Sequence, residues 1–233
     1  MLEEKSNEST QVAGTIIDKY IRYDVFRSYL VENATYVGED EIPIIKSSSK
    51  IIPNKVIPFS KAMSTKDYNQ WVVFYEMDYQ FERIWNQPKK YLKILKRFNG
   101  VISPDFSLYR NMPLVMQKWS TYKGRALANY WITNGIEVIP NVRFSDERSY
   151  SFCFNGIEKN SIIAIGTHGC IKKKDDKEYF KKGLSELVKE LQPKTIIVYG
   201  KSPNDIFEEY KNNIQIINFE SDFSNHMKIG DDE

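Results

Sequence analysis

Cysteine and histidine are scarce in this chain, with only two of each among 233 residues. Cys153 and Cys170 cannot build a disulfide framework. The N-terminus lacks the features of a secretory leader, and no apolar run approaches the roughly 18 residues of a membrane span, so a protein of a reducing cytoplasm is expected. Cys153, His168 and Cys170 lack a second close pair and a fourth partner, so a structural zinc site is not expected. His226 falls in the polar segment "SDFSNHMKIGDDE", which leaves His168 as the histidine placed to titrate near neutrality. Any other acid–base chemistry would need carboxylates or a metal.

A large charge imbalance is also missing. The 33 basic and 31 acidic side chains leave a net charge of +2, which excludes a uniformly basic nucleic-acid coat. Local basic segments do occur: "QPKKYLKILKR", "KWSTYKGR" and "CIKKKDDK". Lysines on the outer face of amphipathic helices are ordinarily solvated, and the interleaved Tyr91, Trp119 and Tyr122 are expected on the apolar face. There is no internal repeat and no low-complexity stretch.

What is present suffices for a sizeable core: the chain is 41% hydrophobic and 14% aromatic. Residues 1–14 read as a polar tail. Residues 15–55 read as a helical and extended segment packed on the core, with Ile16, Ile17, Tyr20, Val25, Phe26 and Tyr29 at helical spacing over Thr15–Leu30. Pro43, Pro53 and Pro58 there punctuate short β-branched pieces that suit edge strands and turns. Residues 56–219 read as a single α/β domain, and residues 220–233 as a flexible tail.

Within 56–219 two periodicities alternate. "WVVFYEMD", "GVISPDF", "IEVIPNV", "SIIAIGT", "TIIVYG" and "IQIINF" are strand-like. Between them, Phe81–Phe98 is helical with a break at Pro88, and a long helix runs from Pro113 to a stop at Gly135. That helix should carry Val115, Trp119, Tyr122, Ala126 and Tyr130 on its buried face. Phe180, Leu184, Leu187, Val188 and Leu191 mark a further helix, and "SYSFCFNGI" resembles a hairpin. Ile/Val runs without polar alternation require cover on both faces, which intervening helices supply. The expectation is a mainly parallel α/β sheet, either incomplete and barrel-like or open and doubly wound.

In both architectures ligands bind at the carboxyl ends of the strands. The polar residues at those ends are Asp78, Asp105, Ser107, Arg110, Asn141, Arg143, Gly166, Thr167, His168 and Gly169, with Tyr199 and Gly200 one strand on. Catalytic roles are expected for Asp78, Asp105 and His168, and ligand-binding roles for Ser107, Arg110, Asn141, Arg143, Gly166, Thr167 and Gly169. Asp105 and Ser107 could instead cap a helix, and Arg143 could pair with Asp146 or Glu147. The turn "GTHGC" has glycines for close backbone approach to a phosphate but not the spacing of a phosphate loop. Asp78 and Asp105, on adjacent strands, suggest a magnesium ion as cofactor.

The segments "VIPFSKAM", "WVVFYEMDYQFERIWNQPKKYL", "GVISPDFSLYRNMPLVMQKW", "GIEVIPNVRF", "FCFNGI", "SIIAIGTHGC" and "TIIVYG" resemble the uncharacterised domain-of-unknown-function family DUF4417 of Gram-positive bacteria, their phages and mobile elements. The resemblance runs from Val56 to Phe219 and implies a phage or mobile-element setting without supplying an activity. Two functions are expected from the residues: binding or processing of a phosphate-bearing ligand, nucleotide or nucleic acid, at a strand-end cleft; or a non-catalytic accessory or counter-defence factor that contacts a host or phage protein.

Overall fold

The computed structural model describes residues 24, 26–45 and 48–221. Most of the helix expected over Thr15–Leu30 lies outside the described residues, as does His226; within them Ser28–Leu30 forms one 3-10 turn. A small antiparallel pair follows, β1 (Tyr36–Val37) with β2 (Ile42–Pro43). The chain then runs β3 (Val56–Pro58), α1 (Phe59–Ala62), β4 (Trp71–Val73), α2 (Asp78–Phe81), α3 (Arg83–Asn86), α4 (Pro88–Leu95), β5 (Gly100–Ile102), α5 (Leu114–Thr133), β6 (Val138–Ile139), α6 (Tyr150–Cys153), β7 (Ile162–Gly166), α7 (Lys174–Leu191), β8 (Thr195–Tyr199), α8 (Asn204–Phe207) and β9 (Gln215–Phe219).

Strands β3 to β6 pair in parallel, as do β7 to β9. The two sets meet at a parallel bridge between Asn141 and Ala164, where Val142 N–H donates to the Ala164 carbonyl (2.8 Å) and Ala164 N–H to the Pro140 carbonyl (2.9 Å). Spatial order therefore follows sequence order from β3 to β9 with no reversal. A doubly wound sheet needs a reversal, so of the two expected architectures the incomplete, barrel-like one is found.

The sheet curls. Tyr75, just past β4, stacks on Tyr199 at the end of β8, with ring centroids 4.7 Å apart and planes at 14°. Four strand spacings along a flat sheet would separate them by about 19 Å. Curvature gives the sheet an inner face, filled by Trp71, Val73, Ile102, Ile139, Ala164 and Ile197. The alternate residues face outward under the helices. Val72, Phe74, Val101 and Val138 pack with Phe81, Leu95, Leu127 and Trp131, while Ile163, Ile165, Ile196 and Val198 pack with Leu184, Leu187 and Phe207. Successive right-handed crossovers keep the helices on that outer side. Gly100 is required by the filling: a Cβ there would lie 2.6 Å from the Trp71 ring. Among the described residues, β3 and β9 do not pair, so the barrel is not closed.

Several local expectations are corrected. "WVVFYEMD" is strand only through Val73, and Asp78 opens α2, where an acid suits the helix N-terminus. "SYSFCFNGI" is a 3-10 turn followed by α6, which buries Phe152 and Cys153 together. Pro113 caps α5 from outside and does not occupy its first turn. The buried face of α5 matches the expected one only in part: Ala126 is buried and Tyr122 and Tyr130 pack against the core. Val115 is 72% and Trp119 48% exposed, whereas Gln117, Thr121, Arg125 and Asn129 are buried beside Leu127 and Trp131. Backbone carbonyls satisfy that polar face: Asn129 Nδ2 donates to Leu30 (2.9 Å), and Gln117 Nε2 to Tyr109 (3.1 Å) and Met112 (2.9 Å).

Candidate functional site

The loops after β5, β6 and β7 and the start of α7 enclose a cleft of about 640 Å³ at the carboxyl ends of the strands. The loop after β5 contributes Tyr109, Arg110 and Asn111; the loop after β6 contributes Arg143 and Ser145; the turn after β7 contributes Gly169 and Cys170; and α7 contributes Asp176 and Tyr179. Two devices fix the first loop. Gln117 holds the Tyr109 and Met112 carbonyls from below while its Oε1 accepts from the Ser145 hydroxyl (2.6 Å). Asp78 accepts from the Ser107 N–H (3.1 Å) and hydroxyl (2.8 Å).

Arg143 lies at the back of the cleft with its side chain 19% exposed. Its Nη1 donates to Cys170 Sγ (3.0 Å) and, at 3.4 Å, to Asp105 Oδ2. Its Nε is buried and has no acceptor among the described residues. Asp105 Oδ1 accepts from Asn141 Nδ2 (2.8 Å), and Asn141 Oδ1 accepts from the Tyr75 hydroxyl (2.9 Å), so one chain of hydrogen bonds crosses the barrel mouth. Gly166 makes room for this crossing, since a Cβ there would lie 2.7 Å from the Tyr75 ring. Nearer the rim, Arg110 pairs with Asp176 and lies over the Tyr179 ring, 4.2 Å from its centroid.

Burial pushes the Asp105 carboxyl above the usual range, and nearby Asp78 adds to the rise, while Arg143 and Asn141 pull the other way. Burial opposes the charge on Arg143, but its anionic neighbours, Cys170 once ionised and Asp105, outweigh it and raise the guanidinium pKa beyond its ordinary value. Burial raises the Cys170 thiol despite Arg143 beside it, so sulfur enters the site as a neutral thiol at pH 7. Tyr75 is raised well above its ordinary value by burial and by Asp105.

The sign for Asp105 is that of a buried acid. Its folded value lies above its unfolded one, so its contribution to stability falls as pH rises through that interval. For ligands the consequence is the reverse of a fixed charge: acidification protonates Asp105 and leaves Arg143 to an added anion. Sulfate keeps its charge over this range, so its affinity is expected to rise from about pH 7.5 to about pH 4.5, and the Asp105→Asn protein is expected to lose the Asp105 part of that dependence. Calorimetric titration at the two pH values, with both proteins, measures it.

Of the residues expected at the site, Arg110, Arg143, Gly166 and Gly169 line the cleft, and Asp105 and Asn141 hold Arg143 and the mouth from behind. Arg143 pairs with Asp105 and not with Asp146, which binds Arg148. Asp78 and Ser107 satisfy each other at the cleft's edge. Thr167 turns its hydroxyl to the Lys201 carbonyl (2.7 Å), and His168 is exposed and does not line the cleft. Partial burial and Lys172 lower the His168 pKa. Of the three side chains expected to be catalytic, Asp78 and Asp105 are neighbours, and none of the three lines the cleft. Asp78 accepts from Ser107 and Asp105 from Asn141, and no group of three metal-binding side chains occurs among the described residues.

Sequence reasoning missed Tyr75, Asp176 and Tyr179, and considered Cys170 only for a zinc site that it did not expect. Tyr75 could have been found from register, since it continues the inward alternation of Trp71 and Val73.

A family model described as "Domain of unknown function (DUF4417)" matches residues 34–220, so the chain belongs to that family. It is 39% identical over 128 residues to the Gene 1 protein of Mycobacterium phage L5, covering 55% of this chain and 56% of the relative. It is 35% identical over 128 residues to the Gene 1 protein of Mycobacterium phage D29, covering 55% and 47%. The match thus spans about half the length of these curated relatives. No solved structure matches the chain. Among the described residues, no helix is long and apolar enough to cross a membrane.

Proposed function

We propose that this family member binds a phosphate-bearing ligand, a nucleotide or a nucleic-acid end, in the strand-end cleft. The observation that carries this reading is Arg143: a guanidinium in the cleft wall, 19% exposed, whose Nη2 makes no hydrogen bond among the described residues and whose carboxylate neighbour Asp105 stands at 3.4 Å and is shared with Asn141. A guanidinium offers five donors in a planar fork, and with Nη1 alone engaged by Asp105 and Cys170 the remaining donors suit a ligand oxyanion. Arg110 supplies a second cation at the rim, and the Tyr109 and Tyr179 rings supply faces for a base. The volume suits a mononucleotide. The reading is one of binding, because Asp78 and His168 stand outside the cleft.

Titration calorimetry with a nucleoside monophosphate, the matching nucleoside and inorganic phosphate tests it. The monophosphate is expected to bind and to be displaced by phosphate, and the nucleoside alone to bind far more weakly. Absence of heat and of thermal stabilisation with every phosphate-bearing compound overturns the proposal.

A second reading, an accessory factor that contacts another protein, is favoured by one observation: Val115, Met116 and Trp119 stand exposed on α5. Under it, Arg143→Gln leaves the biological effect of the protein intact and Trp119→Ser abolishes it.

A further inference from the structure

Lys172, Lys173 and Lys174 stand where helix electrostatics disfavours cations. Lys174 is the first residue of α7 and Lys173 its cap, so three positive charges face the positive end of an 18-residue helix. All three are exposed, and no carboxylate among the described residues pairs with them. Asp175 and Asp176 follow the rule that the lysines break. A stretch that violates local preference without internal compensation marks a place shaped by binding.

The position of the stretch supplies what is bound. The lysines do not line the cleft themselves, but the segment that carries them is bounded by two residues that do, Cys170 before it and Asp176 after it. Lys201 belongs to the neighbouring turn. Its carbonyl accepts from Thr167 Oγ1 (2.7 Å), which ties the turn after β8 to the turn after β7, and its side chain is exposed. From the loop after β5, Tyr109 is 54% exposed.

We infer that this surface takes a single-stranded nucleic acid, whose terminal phosphate enters the cleft at Arg143 while the following phosphodiesters run along Lys172, Lys173, Lys174 and Lys201. The inference rests on the proposed phosphate reading of the cleft and adds the polymer. A row of cations beside exposed aromatic rings is the chemistry that follows a flexible strand, each nucleotide bringing one charge and one ring face.

The test uses the whole chain and a Lys172→Ala/Lys173→Ala/Lys174→Ala variant. Removing cations from a helix N-terminus favours the helix, so the variant is expected to fold. Fluorescence anisotropy with a 5′-phosphorylated, 3′-labelled oligothymidylate of about twelve nucleotides is compared with calorimetry of thymidine monophosphate. The variant is expected to lose about tenfold or more in oligonucleotide affinity at low salt. The slope of log K against log salt should shrink by about 2, from three single-strand phosphate contacts at roughly 0.7 each. Monophosphate affinity should stay within about twofold of wild type, because Arg143 and Arg110 are untouched. An unchanged oligonucleotide affinity and slope, or an oligonucleotide that binds wild type no more tightly than the monophosphate, overturns the inference while leaving the cleft reading in place. Failure of wild type to bind either compound overturns both.

Discussion

Replacing Arg125 by alanine is expected to lower the unfolding free energy by about 4 kcal/mol. Arg125 is 4% exposed on α5, and its guanidinium serves only backbone. Nε donates to the Asn155 carbonyl (3.0 Å), Nη1 to Asn141 (3.2 Å) and Nη2 to Cys153 (2.9 Å). Those carbonyls belong to the turn after β6 and to the end of α6, so one side chain ties the long helix to the loop that carries Arg143. Burial lowers the Arg125 pKa to about 10, which still leaves it charged at neutral pH and compensated by carbonyl dipoles. Truncation leaves three acceptors without a donor, each costing about 1 kcal/mol or more, and opens a cavity as well. Urea unfolding should show the loss, and thermal unfolding a midpoint lower by about 8–16 °C. Arg125→Lys should recover only part of it, since one ammonium cannot span three separated carbonyls. A change below about 1 kcal/mol in Arg125→Ala would mean that the clamp is dispensable.

The second large effect concerns the ligand. Converting Arg143 to glutamine while converting Asp105 to asparagine removes both charges at once, so that no buried carboxylate is left uncompensated. If a phosphate takes two charge-assisted hydrogen bonds from Arg143, at about 1.5 kcal/mol or more each, nucleotide affinity should fall by about 100-fold. Unfolding should move less than for Arg125→Ala, because both charges leave together and their 3.4 Å contact is long. Calorimetry of the double variant beside wild type reads the first effect and urea titration the second. An affinity within about threefold of wild type would remove Arg143 from the site.

Much of this arrangement was legible before any coordinates. Unbroken Ile/Val runs such as "SIIAIG" and "TIIVY" announce strands covered on both sides, and the rule that parallel sheets bind ligands at strand ends leads to Arg110, Arg143, Gly166 and Gly169. What failed was set by long-range contact. The α5 helix buries Gln117, Arg125 and Asn129 because carbonyls from distant loops and from Leu30 accept their hydrogen bonds, and hydrophobic periodicity does not register such partners. The aromatic alternation in "SYSFCF" imitates a strand, but over four residues a period of two cannot be told from one helical turn. The choice between a barrel-like and a doubly wound sheet turned on the backbone bridge from Asn141 to Ala164, which no side-chain pattern encodes. The same holds for Arg143 on Cys170, a contact between residues with no shared motif.

The most direct test of an anion site built on Arg143 is a proton–nitrogen NMR spectrum of the arginine Nε–H groups, recorded while a nucleoside monophosphate is added. The Arg143 resonance, assigned by its loss in Arg143→Gln, should shift and saturate with the ligand, while that of Arg125, already held by the Asn155 carbonyl, should stay in place. Saturating ligand that leaves the Arg143 resonance where it was, or that moves only arginines outside the cleft, would contradict the site.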